Sequence, residues 1–106
     1  MNNLFESLPT ADAETIQVLL QSDAVKIERI TSNGQPSPRD FWYDQVNEEW
    51  VLLIQGMATL EFENGEKRQM RAGDYLLIPS RLRHRVSEVS QDAVWLAMHL
   101  LQSPQN

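Results

Sequence analysis

Hydrophobic and polar positions alternate most cleanly over residues 58–63, where Ala58, Leu60 and Phe62 interleave with Thr59, Glu61 and Glu63. A period of two places one set of side chains on a buried face and the other in solvent, which predicts a strand. Asn64-Gly65 follows at once. This pair suits a tight hairpin because both central residues of such a turn take positive φ, so a return strand is expected over Glu66–Met70. Gly73-Asp74 then opens a strand at Tyr75–Ile78, and Pro79, which cannot donate to a ladder, closes it before His84–Val89. Val25–Ile30, Phe41–Gln45, Trp50–Ile54 and Ala93–Leu101 complete the set. Trp50–Ile54 is continuously apolar, as in a strand buried on both faces. Gly34, Pro36 and Pro38 mark a loop between the first two of these. Only the start of the chain reads differently. Ile16, Leu19 and Leu20 recur at helical spacing behind Pro9-Thr10, Asp12 and Glu14, which suit a helix start. A short helical appendage over residues 1–24 is expected, covering a barrel edge or a partner subunit.

Short strands joined by tight turns, with no helix between them, point to an all-β antiparallel sandwich or barrel over residues 25–102, followed by a polar tail at 103–106. At 106 residues the chain is a single domain, large enough for a real core. A formal charge of −6 argues against nucleic acid and anionic membrane as partners. Six of the nine basic residues nevertheless crowd into residues 67–85. There is no cysteine, which excludes a thiolate site and a disulfide frame. No basic, apolar leader opens the sequence and no apolar run is long enough to span a bilayer, so a cytoplasmic location is expected.

The segment from Gly73 to His84 carries the clearest chemical signal. A turn, an apolar strand, a proline stop and a basic loop deliver one imidazole to the start of the next strand. The spacing of Gly73, Pro79 and His84 resembles the second motif of the cupin superfamily, with Arg81 where that motif has its second glycine and Glu88 where it has asparagine. Glu49 stands seven positions before Gly56, as a glutamate does in the first cupin motif. The two histidines of that motif are replaced by Tyr43 and Gln45, or by Trp42 and Asp44 under the longer spacing. The resemblance covers roughly residues 25–101. It implies a double-stranded β-helix, or jelly-roll, barrel and a metal-dependent dioxygenase, isomerase, lyase or decarboxylase chemistry.

Strand geometry supports a site independently. Residues two apart share a face, so Tyr43 and Gln45 point the same way, and Glu49 is inward together with Val51 and Leu53. Trp95, Ala97 and His99 alternate against Leu96, Met98 and Leu100. With the first set inward, His99 approaches His84 and Glu49. Glu49, His84, His99 and Gln45 then form a candidate ligand set for a divalent transition metal (Fe, Mn, Ni or Zn). Tyr43 or His84 is the candidate for moving a proton, and Trp42, Arg81 and Arg83 for gripping a ligand at the mouth. Each residue also has an ordinary structural reading. His99 suits a hydrogen-bonded core histidine, Trp42 a packing aromatic, and Arg81, Arg83 and Arg85 a solubilising strand edge.

Three functions remain open on these grounds. The first is a metal-dependent enzyme acting on a small molecule. The second is a noncatalytic binding or sensing module without metal. The third is a structural or partner-binding dimer, because Trp50–Ile54 and Ala93–Leu101 carry more apolar residues than one lumen absorbs. A homodimer is expected under all three.

Overall fold

The structure, a computed structural model, describes residues 1–9 and 13–101. Eight strands form two antiparallel sheets: β1 (Thr15–Gln21), β2 (Val25–Thr31), β3 (Glu48–Gln55), β4 (Met57–Phe62), β5 (Lys67–Arg71), β6 (Tyr75–Ile78), β7 (His84–Val89) and β8 (Val94–Leu100). One sheet has the order β1-β2-β8-β3-β6 and the other β5-β4-β7. The inward residues of both sheets meet in one core that includes Val51, Leu53, Leu60, Phe62, Ile78 and Trp95. This is the jelly-roll architecture that the strand pattern and the motif spacing predict.

Two elements differ from the sequence reading. Residues 15–21 are not helical but form edge strand β1, paired with β2 from Thr15↔Thr31 to Gln21↔Lys26. A bulge between Val18 and Leu20 shifts the register. That one extra residue converts an alternating strand into the i, i+3, i+4 spacing that imitates a helix. Pairing also satisfies backbone groups along β2 that a helix would leave open. Thr10, Asp12 and the tail at 103–106 lie outside the described residues. The second difference is Phe41–Gln45, which forms no ladder. Tyr43 alone bridges β7, donating its N–H to His84 O at 2.7 Å and accepting from His84 N at 3.1 Å. Pro38 has no N–H to give, and its carbonyl accepts from Phe41 N in a turn, so backbone pairing with β7 at Ser37 is broken before it resumes at Tyr43.

β3 also departs from its reading as a strand buried on both faces. Val51 and Leu53 are buried inside, whereas Trp50, Leu52 and Ile54 are half-buried on the outer face of the five-stranded sheet. Register places Trp50 beside Met98 and Leu77, and Leu52 beside Leu96 and Tyr75, so these six side chains share that outer face. The start of the chain rests on the same sheet. Buried Arg29 donates from Nη1 to the carbonyls of Leu4 and Glu6, both at 2.9 Å, and from Nε and Nη2 to Gln17 Oε1.

Two turns fix the approach to the interior. Gly56, at φ +88°, carries the chain from β3 into the other sheet within one residue. Arg81, in the position of the second motif glycine, has φ +65°, so the left-handed turn survives although the residue has changed.

Candidate functional site: a carboxylate and imidazole cluster

Strand register brings the chemical groups together. Glu49 on β3 lies directly opposite His99 on β8, both on the inner face. Glu28 on β2 pairs with Ala97, two residues from His99 and on the same face. His84 opens β7 opposite Phe62 of β4 and is held on its other side by the Tyr43 bridge. These groups line one cavity of about 120 Å³. Glu28, Tyr43, Gln45, Glu49, His84 and His99 form its polar part, with Val51, Leu60, Ile78, Val86 and Trp95 among its apolar walls and Glu14 and Ile16 lining it from the first segment.

The contacts within the cluster are directional. His84 Nδ1 is 2.9 Å from Leu82 O. A carbonyl only accepts, so Nδ1 carries the proton and Nε2 faces the cavity. Nε2 lies 3.7 Å from Glu49 Oε1, while the other Glu49 oxygen lies 3.9 Å from His99 Nε2. Gln45 Nε2 donates to Glu49 Oε1 at 3.4 Å. His99 Nε2 makes its shortest contact with Glu28 Oε1, at 2.7 Å. Burial pushes the Glu49 carboxyl above its usual value. The nearby His99 and His84 and the Gln45 hydrogen bond oppose that shift, and the charge of Glu28 adds to it. Burial also raises the Tyr43 phenol, with the charges of Glu14 and Glu49 adding to the effect and a hydrogen bond with Ser37 opposing it. Its ring stacks on His84 at a centroid distance of 5.6 Å.

Of the residues singled out from sequence, Tyr43, Gln45, Glu49, His84 and His99 share this cavity, whereas Trp42, Arg81 and Arg83 do not line it. The arginines are used locally. Arg81 pairs with Asp44 at 3.2 Å and Arg83 with Glu63 at 3.1 Å, both exposed. Glu88, in the asparagine position of the second motif, is exposed on β7. Glu28 was missed. Its position two residues before Ile30 was a usable signal, but its partner could be found only once β2 was known to lie beside β8.

The donor set does not fit a metal ion in this arrangement. An ion needs lone pairs that converge at about 2.0–2.2 Å from one point. His99 Nε2 is committed to Glu28, and Tyr43 and Gln45 replace the two motif histidines. Among the described residues no group of three or more His, Cys, Asp or Glu side chains could hold a metal ion. Also among them, no helix is long and apolar enough to cross a membrane.

Comparison with known proteins agrees with the fold and the motifs. No curated protein matches the sequence. Among solved structures, a protein of Ralstonia eutropha JMP134, provisionally described as a mannose-6-phosphate isomerase, is 44% identical over 96% of this chain and 98% of its own, with a TM-score of 0.90. An RmlC-like cupin from Desulfovibrio desulfuricans superposes with a TM-score of 0.78 over 94% of each chain at 19% identity. KdgF from Halomonas sp. does so with a TM-score of 0.75, covering 89% of this chain and 85% of its own at 14% identity. Those last two likenesses are of fold alone. The Cupin domain family matches residues 33–99, and with the jelly-roll barrel and both motif glycines in their turns, the chain belongs to the cupin superfamily.

Proposed function

We propose that this cupin is an enzyme that moves a proton on a small molecule held in the cavity, in the manner of an isomerase or lyase. The observation that carries this reading is a buried carboxylate flanked by two imidazoles. Burial that raises the Glu49 carboxyl brings a general base closer to neutral pH, where proton abstraction is most effective. Glu49 takes a proton from carbon beside a carbonyl. Glu49 then returns that proton to the neighbouring carbon, while His84, its tautomer fixed by Leu82 O, faces the same space with a bare Nε2 and accepts a hydrogen bond from the substrate hydroxyl. The Tyr43 phenol stays protonated and donates to the substrate oxygen. Glu28 holds His99 in place. The provisional isomerase description of the Ralstonia relative is consistent with this class of reaction.

The test is solvent-deuterium exchange into the C–H groups of a panel of small carbonyl compounds, followed by mass spectrometry. The wild-type protein should catalyse exchange, and Glu49→Gln should slow it by at least about 100-fold. Equal exchange in the two proteins contradicts the role of Glu49. The metal-dependent alternative, with Glu49, His84, Gln45 and a freed His99 as ligands to Fe, Mn, Ni or Zn, makes a different prediction. Stoichiometric metal in protein purified without chelator, lost in His84→Ala, would replace the metal-free reading. Binding of a ligand without any exchange would favour a noncatalytic module.

The protein acts as a homodimer under this proposal, with the outer face of the five-stranded sheet as the interface. Tyr75 is 68% exposed and Leu77 45%, and the Trp50 and Tyr75 rings lie 5.6 Å apart beside them. A second copy of the same flat apolar face is its natural complement.

A further inference from the structure

The charges and the size of the cavity select what enters it. Among the described residues three carboxylates line it, Glu14, Glu28 and Glu49, and no Lys or Arg does. The cations nearby are matched by carboxylates of their own. Lys26 lies 3.7 Å from Glu28, Arg81 pairs with Asp44, Arg83 with Glu63, and Arg85 with Glu61 at 3.0 Å. An anion would therefore give up its water for a space lined with carboxylates and, among the described residues, with no guanidinium or ammonium. The hydrogen-bonding groups point to the class accepted. Glu28 and Glu49 are acceptors that call for hydroxyl donors on the ligand, whereas the Tyr43 phenol and the Gln45 amide are donors suited to a carbonyl oxygen. The cavity measures about 120 Å³ and opens to solvent on one side. A cavity of about 150 Å³ holds benzene, so the part of a ligand that reaches the cluster is about five or six heavy atoms.

Resting on the proton-transfer reading above, we infer that the substrate is an uncharged hydroxy-carbonyl compound of about three carbons, and that phosphate esters are disfavoured by a cavity lined with carboxylates and, among the described residues, with no Lys or Arg. The Ralstonia relative's provisional description names a sugar phosphate. For this chain the cavity opposes such a ligand on charge.

Matched probes separate these cases: dihydroxyacetone and dihydroxyacetone phosphate, each titrated at millimolar concentration and followed by calorimetry and melting temperature. Dihydroxyacetone should bind at least about tenfold more tightly than its phosphate and raise the melting temperature, while the phosphate leaves it unchanged. In Glu28→Gln, which removes one carboxylate and releases Lys26, the gap should narrow through tighter binding of the phosphate. Equal or tighter binding of the phosphate by the wild-type protein overturns the inference, as does failure of both probes to bind. Failure of the proton-transfer reading looks different: dihydroxyacetone binds with the expected preference but exchanges no deuterium.

Discussion

Replacing Gly56 by alanine tests the turn that delivers β3, and with it Glu49, to the barrel. A Cβ at this position would lie 2.5 Å from Ser90 Oγ and 2.8 Å from Ala93 Cα. The second contact is with backbone and cannot be relieved by a rotamer change. Ser90 is itself held, because Oγ accepts from Met57 N at 2.9 Å. Alanine at φ +88° adds strain of order 1–3 kcal/mol, and overpacking adds about 1–3 kcal/mol more. Gly65 provides the control, since its φ is +92° and a Cβ there meets nothing within 4 Å. The two substitutions share the backbone penalty, so their difference isolates the clash at about 1–3 kcal/mol. At about 4–8 °C per kcal/mol for a domain near this size, Gly56→Ala should melt roughly 5–20 °C below Gly65→Ala. Differential scanning calorimetry of the two variants measures this. Equal melting temperatures would refute the claim that close packing against Ala93, rather than φ alone, requires glycine at position 56.

Other expectations follow from the same contacts. Glu49 has a raised carboxyl in the fold, so the stability it contributes is present below the unfolded-state value and is lost as pH rises through the folded one. Glu49→Gln should therefore melt close to wild type in acid and progressively above it toward neutral pH, whereas a gap that stays constant or shrinks contradicts the burial argument. Leu53 is completely buried, and Leu53→Ala should cost about 3–5 kcal/mol in urea unfolding; a loss under 1 kcal/mol would mean the core collapses around it. Combined Tyr75→Lys and Leu77→Asp should convert a dimer into a species of 12.2 kDa by light scattering, and a wild-type protein already at that mass removes the proposed interface. Arg29→Met should expose the first residues to protease by removing the hydrogen bonds to Leu4 and Glu6 carbonyls; unchanged cleavage would show that these contacts do not hold the segment.

The parts legible in sequence were those set by local rules. Alternation placed Glu49, Val51 and Leu53 on one face and Trp95, Ala97 and His99 on another, and the register pairs Glu49 with His99. Gly65, Gly73 and Pro79 marked turns through their own conformational limits. The parts that could not be read depend on neighbours. A one-residue bulge in β1 disguised a strand as a helix, and what composition alone reads as a strand at Phe41–Gln45 meets β7 as an isolated bridge at Tyr43 after a turn at Pro38. Glu28 entered the cavity through the β2–β8 pairing, a contact across 71 residues at His99. The arginine-rich run offered Arg81 and Arg83 for gripping a ligand at the mouth, but Asp44 and Glu63 pair with them, as Glu61 does with Arg85, and only folding brings these carboxylates within reach.

The most direct measurement of the central claim is a carbon-13 NMR titration of the Glu49 carboxyl in the wild-type protein, His84→Ala and His99→Ala. The account predicts a wild-type midpoint above the ordinary glutamate value. It predicts a further rise in each variant, because each imidazole opposes the effect of burial. An ordinary midpoint that neither substitution moves would place Glu49 outside the cluster and contradict the account.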